Sequence, residues 1–151
     1  LAAIPGIIGV KEASGDIGQM GDVIREIAIP GEAEGRPFTV LSGDDALTLP
    51  LLALGGDGVV SVLSNLVPAA ITALVHACLE GNYEEGRRLH YTLLPLFKAA
   101  FVETNPVPIK AAMTWAGLPG GPVRLPLGRL GDPGAVLLRK VMRDLGIALQ
   151  D

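Results

Sequence analysis

The chain has 151 residues, 49% of them hydrophobic and only 4% aromatic, and its 16 acidic and 12 basic side chains give a net charge of −4. This length suits one globular domain with an aliphatic core, and the lack of a basic cluster or of an apolar run of about 18 residues argues against nucleic acid and against a membrane span. The single cysteine, Cys78, excludes an internal disulfide and suits the cytoplasm, where we expect the protein to act.

The first residues predict the end of a preceding segment. The chain starts without Met, residues 1–4 resemble the last turn of a helix, and Pro5-Gly6 predicts a tight turn. No basic, apolar leader of the secretory type is present at this start. We therefore expect the chain to be the C-terminal piece of a longer protein.

The first 65 residues predict three apolar strands separated by helices. The strands cover residues 7–11, 38–41 and 59–63. The helices cover residues 16–27 and 44–54, and residues 29–37 predict an exposed loop. Continuous apolar strands that are linked by helices indicate a parallel sheet. The pattern fits either a doubly wound α/β sheet or part of a (β/α)8 barrel.

The remaining residues predict helices only. These helices cover residues 68–79, residues 82–102, a segment that ends near residue 116 after an extended entry at 105–110, and residues 133–145. Asn82 and Glu85 have the spacing of a capping box, and Asp132 with Pro133 resembles a cap followed by a first-turn proline. The chain therefore predicts an α/β part, residues 1–65, followed by a helical part, residues 66–151.

Lys11 ends the first predicted strand, which is otherwise apolar. In parallel α/β architectures functional groups lie at the carboxyl ends of the strands. Apolar surroundings favour the free amine of a lysine, which can then form a Schiff base with a ketone. A strand-end lysine can equally reach water with its ammonium group. The residue pattern alone leaves both interpretations open, and the second is the commoner one.

The segment Ser42-Gly43-Asp44-Asp45 follows the second predicted strand. Because glycine has no side chain, the Gly43 backbone can approach a small substrate closely. The same segment also predicts a turn in which Ser42, Asp44 or Asp45 caps the next helix. For the two aspartates the capping interpretation is favoured.

Other polar segments give weaker signals. Residues 55–58 are glycine-rich but precede a strand, whereas phosphate-binding loops follow one, so they predict a turn. Ser64-Asn65 follows the third strand and could contact a ligand or cap a helix. No metal site or other cofactor is expected, since the histidines and the cysteine lie singly in predicted helices: His76, Cys78 and His90.

Four segments occur together in an informative order: GVKEASG at 9–15, LSGDD at 41–45, GGDGVVSV at 55–62 and FVETNPVPIKAAM at 101–113. Together they resemble the C-terminal half of the 4-hydroxy-tetrahydrodipicolinate synthase family, also called dihydrodipicolinate synthase. The resemblance covers essentially the whole chain. VRLPL at 123–127 is similar to a motif before that family's final helix.

The resemblance implies a (β/α)8 barrel with a C-terminal helical extension, assembled as a homotetramer. The three predicted strands would be barrel strands six to eight. Lys11 would form a Schiff base with pyruvate, and the derived enamine would attack aspartate semialdehyde, in a lyase-class step of lysine and diaminopimelate biosynthesis. Gly43 and Val60 match positions where the family's backbone lines the pyruvate site. No cofactor is implied.

Some family features have no counterpart among these residues. The family's proton-relay tyrosine, threonine pair, semialdehyde-binding arginine and lysine-feedback site belong to its N-terminal half. Residues 29–37 are longer than the family pattern and predict a surface-loop insertion. Three strands of eight leave open sheet edges, so we expect this chain to be inactive alone.

Three alternatives remain. N-acetylneuraminate lyase and keto-deoxy-sugar aldolases share the fold and the lysine, although Glu12-Ala13 and the SGDD segment favour the synthase. A phosphate-binding barrel is a second alternative, but residues 63–66 lack the glycines expected there. A non-catalytic helical oligomerisation module is the third, with residues 107–113 as the candidate contact patch.

Overall fold

A computed structural model describes residues 1–150 of the chain. The contacts divide it into two compact units, one formed by residues 1–61 and 73–87, and the other by residues 62–72 together with those from 88 onward. Within residues 1–150, every helix is too short or too polar to span a membrane. The two units are described in turn.

The first unit contains a parallel sheet in the order β1-β2-β3. Its strands are β1, Gly9–Glu12, β2, Thr39–Ser42, and β3, Gly58–Val59. Between β1 and β2 lie α1, Ile17–Val23, a π-helical turn, Ile24–Ala28, and α2, Ile29–Ala33. Between β2 and β3 lie a 3-10 turn, Asp45–Leu47, and α3, Thr48–Ala53. The α/β class predicted from the sequence is confirmed.

The strand register aligns the three strands at their carboxyl ends. Lys11 pairs with Leu41, which pairs with Gly58, and Glu12 pairs with Ser42, which pairs with Val59. Successive side chains of a strand point to opposite faces of the sheet. Residues of one paired row therefore share a face.

One face of the sheet is covered by helices. Met20 and Ile24, from α1 and the π-helical turn, form a buried cluster with Val40 of β2 and Leu51 of α3, and Val10 packs against it. Asp16 begins α1, because its carboxylate accepts hydrogen bonds from the backbone N–H groups of the first turn. The apolar spacing of residues 16–27 thus correctly predicted a helix and its buried face.

The loop expected at residues 29–37 is wrong for its first part, which is helical, while the surface-loop insertion expected there stays a prediction. The chain continues from the π-helical turn into α2, with Pro30 among its first residues, where the fixed φ of proline suits a helix. The helical segment ends before Gly35, whose φ of 72° is typical of glycine after a helix. Residues 29–37 predicted a loop because they are rich in glycine and proline. The π-helical turn that leads into α2 has no recognisable sequence pattern.

The third strand is shorter than predicted. The strand expected at residues 59–63 covers only Gly58–Val59, and Leu63–Asn65 forms a 3-10 turn. Leu63 is completely buried in that turn. A short apolar run predicts burial, but by itself it cannot distinguish a strand from a buried turn.

Two of the long helices occur close to their predicted positions. They are α4, Pro68–Leu79, and α5, Tyr83–Ala99. Asn82 Oδ1 accepts a hydrogen bond of 3.2 Å from the Glu85 N–H, as the capping-box spacing predicted. In the first unit, the Tyr83 hydroxyl donates to the Leu52 carbonyl oxygen over 3.1 Å and so ties the start of α5 to α3.

The second unit is helical and includes α6, Val107–Trp115, and α7, Asp132–Asp144. The apolar side of α6 is buried, as are Leu138 and Met142 of the neighbouring α7. The Arg139 guanidinium lies 3.9 Å from the centre of the Trp115 ring and adds a cation–π contact between the two helices. Most apolar residues of the oligomerisation patch considered above, residues 107–113, are therefore buried within this unit, whereas Ala111 and Met113 are partly exposed. The extended entry predicted at residues 105–110 is wrong from Val107 onward, where α6 begins.

The cap of α7 differs from the predicted one. Gly131, not Asp132, is the N-cap residue, and Asp132 is the first residue of the helix. The Gly131 N–H donates to Glu103 Oε1 over 2.9 Å, so the capping carboxylate comes from a residue 28 positions earlier. A capping group so distant in sequence could not be recognised from local spacing.

Asp57 completes the ladder of β2. Its Oδ2 accepts a 2.7 Å hydrogen bond from the N–H of the buried Val40, and its own N–H donates to the Val40 carbonyl oxygen. Asp57→Ala leaves the Val40 N–H without this partner, and we expect the free energy of unfolding to fall by about 1–3 kcal/mol in urea denaturation. Asp22→Ala, at an exposed surface ion pair, serves as the control and should change it by less than about 0.5 kcal/mol. Equal effects of the two substitutions would contradict the assigned role.

Glu103→Ala tests the distant cap. We expect it to reduce stability by about 0.5–2 kcal/mol, because the first turn of α7 loses an acceptor. Asp132→Ala should cost less, since Asp132 lies in the first turn of the helix without a capping hydrogen bond. Thermal unfolding followed by circular dichroism measures both, and a larger loss for Asp132→Ala would show that the sequence-based assignment of the cap was right.

Candidate active site

The candidate site lies at the carboxyl ends of the three parallel strands. Lys11 is the third residue of β1, while Gly43 directly follows β2 and Val60 directly follows β3. By strand alternation all three lie on the face opposite to the Met20 cluster, since Val10 and Val40 pack against that cluster. The structure thus places the three predicted site residues on one face of the sheet, at the carboxyl ends of its strands.

Lys11 is exposed on this face. Its backbone pairs with Leu41, which lies two residues before Gly43. The Lys11 Cα therefore lies about two residues short of the carboxyl ends of β2 and β3, where Gly43 and Val60 are found. The flexible four-carbon stem of a lysine is suited to span this step and bring its nitrogen to the strand ends.

Glu12, the next residue, is buried behind the sheet, with only 6% of its surface exposed. Its Oε1 accepts hydrogen bonds from the Ser14 N–H over 3.0 Å and from Gln19 Nε2 over 2.9 Å. The Glu12 carbonyl oxygen accepts from the Gly43 N–H over 2.6 Å. The sequence analysis noted Glu12 only as part of a motif. Glu12 and Val10 are two residues apart in β1, so their side chains lie on the same face of the sheet, which is covered by helices. This alternation is the sequence feature that could have placed Glu12 on the covered face.

Gly43 is required by packing within the chain. A Cβ atom at this position would lie 2.4 Å from the Ala13 Cβ and 3.0 Å from the Glu12 carbonyl oxygen. Such approaches are far shorter than van der Waals contact. The segment after β1 therefore lies directly against Gly43. This contact explains the glycine without a substrate and does not conflict with a site on the open face.

A buried aspartate links the segments after β2 and β3. Asp45 is 1% exposed and accepts a hydrogen bond from the Ser61 hydroxyl. Next to Ser61, the Val60 N–H donates to the Ser42 carbonyl oxygen over 2.8 Å and continues the β2–β3 ladder by one residue. Asp44 caps the 3-10 turn through the Ala46 N–H, so the predicted capping role is confirmed for Asp44, whereas Asp45 serves as the link.

The remaining titratable candidates lie outside this site. Burial lowers the pKa of His90, which packs edge-on against the Phe97 ring, and burial raises the pKa of the Cys78 thiol. His76 is exposed on α4. In the part of the chain that the structure describes, no group of three or more His, Cys, Asp or Glu side chains could hold a metal ion.

Comparison with known proteins gives a consistent result. The dihydrodipicolinate synthetase family matches residues 1–143. The chain belongs to this family. The 4-hydroxy-tetrahydrodipicolinate synthase of Protochlamydia amoebophila is 49% identical over 146 residues, which are 96% of this chain and 47% of that protein. The chain spans about half the length of the curated synthases it matches.

Solved synthase structures match the fold of the chain. The dihydrodipicolinate synthase of Aquifex aeolicus superposes with a TM-score of 0.90 at 35% identity, over 99% of this chain and 49% of that one. The chloride-inhibited synthase of Acinetobacter baumannii, solved in complex with pyruvate, superposes with a TM-score of 0.87 at 33% identity, over 97% and 48%. The synthetase-family chain therefore has the fold of about half of such a subunit.

Gly43→Ala tests the close contact at the site. We expect a loss of about 1–3 kcal/mol of stability, because the added methyl group overlaps Ala13. Gly21→Ala is a matched control in α1, where the nearest atom would be 3.8 Å away and helix propensity favours alanine by about 0.5–1 kcal/mol. Adding Ala13→Gly to Gly43→Ala should recover part of the loss. Equal stability of the two single variants in urea denaturation would contradict the contact.

Proposed function

We propose that this chain carries the Schiff-base lysine of a 4-hydroxy-tetrahydrodipicolinate synthase, which condenses pyruvate with aspartate semialdehyde. Lys11 is the proposed nucleophile, and the backbone at Gly43 and Val60 is the proposed pyruvate-lining surface. The observation that carries the proposal is the gathering of these three residues on one face at the ends of β1, β2 and β3. Membership of the family and the pyruvate complex of a relative support it.

The proposed chemistry begins with the free amine of Lys11. The amine adds to the ketone carbon of pyruvate, the resulting hydroxyl group takes up one proton from water and leaves as a water molecule, and a protonated imine remains. Loss of a proton from the pyruvate methyl group gives an enamine, because the imine accepts the electron pair. The enamine carbon then attacks the aldehyde carbon of aspartate semialdehyde and forms the new carbon–carbon bond.

The proposal includes the larger architecture. The three strands would be strands six to eight of a (β/α)8 barrel, with residues 1–65 as its last part and residues 66–151 as its final helix and helical extension. A barrel built from eight strands has no free edges, whereas three strands leave two. The proton-relay groups of the family would come from outside these residues, and so would the contacts that complete a homotetramer. The condensation is therefore proposed for the complete protein and not for this chain alone.

Borohydride trapping tests the nucleophile. When the complete gene product is incubated with pyruvate and reduced, we expect a stable secondary amine on Lys11 that peptide mass spectrometry can locate. Lys11→Ala and Lys11→Arg should abolish the adduct, because neither offers a nucleophilic amine. Lys98→Ala, which removes an exposed lysine on α5, should retain it. No adduct on Lys11 in the unsubstituted protein would refute the proposal.

Turnover assays with different substrates distinguish the synthase from N-acetylneuraminate lyase and the keto-deoxy-sugar aldolases. Once an imine with pyruvate has been demonstrated, turnover with aspartate semialdehyde identifies a synthase, whereas turnover only with N-acetylneuraminate or a keto-deoxy-sugar acid identifies the other aldolases. We expect consumption of aspartate semialdehyde.

A further inference from the structure

We propose that Glu12 is the positioning residue of this site: its buried carboxylate fixes the end of β1 so that Lys11 points to the open face. The proposal rests on the function proposed above for Lys11. Glu12 lies one residue after the proposed nucleophile, and its carbonyl oxygen binds the Gly43 N–H directly. Glu12 is thus next to Lys11 in sequence and hydrogen-bonded to Gly43, two of the three proposed site residues.

The first step of the argument concerns the direction of neighbouring side chains. In a strand, residues i and i+1 point to opposite faces, so an anchor on one side sets the direction of its neighbour. Glu12 is anchored on the helix-covered side by the Ser14 N–H and by Gln19 Nε2 of α1. Lys11 must then leave the strand on the other side.

The second step concerns the place of the anchor at a strand end. Beyond Glu12 no β1 residue pairs with β2, so the ladder alone does not hold the chain there. The carboxylate replaces the missing ladder bonds, since it holds Ser14 after the turn and the first turn of α1 at the same oxygen. Because Lys11 and Glu12 are the last two paired residues of β1, loss of this anchor would loosen the strand end from which the Lys11 stem leaves.

The third step concerns the loss of stability that results from burying the Glu12 carboxylate. Glu12 Oε2 is buried and has no hydrogen-bond partner among residues 1–150. A buried charged oxygen without a partner is unfavourable, and stability alone does not explain a glutamate here. Its hydrogen bonds to Ser14 and Gln19 give the position a geometric role, which an apolar side chain of similar size could not perform.

Three variants of Glu12 and its partner provide the test, with the rate of borohydride-trapped adduct at saturating pyruvate as the readout in the complete gene product. Glu12→Ala should slow trapping by about 10- to 100-fold, the effect of a small displacement of a reacting group. Glu12→Gln keeps an amide oxygen that can accept both hydrogen bonds and should restore most of the rate. Gln19→Ala removes one donor from an exposed residue and should give a smaller loss in the same direction.

Asp57→Ala is the matched control, because it weakens the same sheet between β2 and β3 and leaves both hydrogen bonds of the Glu12 carboxylate in place. Its folded fraction should trap pyruvate at the unsubstituted rate. If Glu12→Ala does not fold, the trapping rates of Gln19→Ala and Asp57→Ala are compared instead. A lower rate in Gln19→Ala than in Asp57→Ala supports the positioning role, and equal rates contradict it.

The outcomes separate the two proposals. No adduct in the unsubstituted protein overturns the function proposed for Lys11 and this inference with it. Normal trapping in the unsubstituted protein together with an unchanged rate in Glu12→Ala and Gln19→Ala overturns only the positioning role. A rate in Glu12→Gln as low as in Glu12→Ala also overturns it, because the carboxylate would then act by its charge or its proton and not by holding the strand end.

Discussion

The close approach of β1 and β2 is the constraint on which the sheet unit depends. A glycine stands at each end of the contact: a Cβ at Gly9 would lie 2.5 Å from the Thr39 carbonyl oxygen, and one at Gly43 would lie 2.4 Å from the Ala13 Cβ. Side chains at either position would push the strands apart and break their register. The register in turn aligns Lys11 with Leu41 and brings the proposed site residues to one edge.

Three carboxylates stabilise the sheet and the segments that follow its strands. Asp57 satisfies the backbone of Val40 in the middle of the sheet, Asp45 links the segments after β2 and β3, and Glu12 anchors the segment after β1. Asp57 accepts from a backbone N–H, Asp45 from a side-chain hydroxyl, and Glu12 from both a backbone N–H and a side-chain amide. These acidic residues thus have structural partners, and Lys11 is the residue proposed for covalent chemistry.

Local patterns predicted much of the fold because they encode local physics. The spacing of Met20 and Ile24 predicted a helix and its buried face, and Asn82 with Glu85 predicted the start of α5. The failures have a common cause. Pro30 was misread because its position in a helix depends on the preceding turn, and the cap of α7 was misassigned because Glu103 comes from far away in sequence. The third strand was overextended because an apolar run reports burial and not backbone conformation.

The sequence by itself determined the α/β class, because strand and helix periodicity are local properties of the chain, and four ordered motifs indicated the family. The resemblance to that family, and not the periodicity, supplied Lys11, Gly43 and Val60 as site candidates. Only the tertiary structure decided that these three residues share one face, that Gly43 is needed for its contact with Ala13, and that Glu12 turns away from the open face to bind Ser14 and Gln19. These facts depend on strand register and on contacts between segments, which local sequence does not specify.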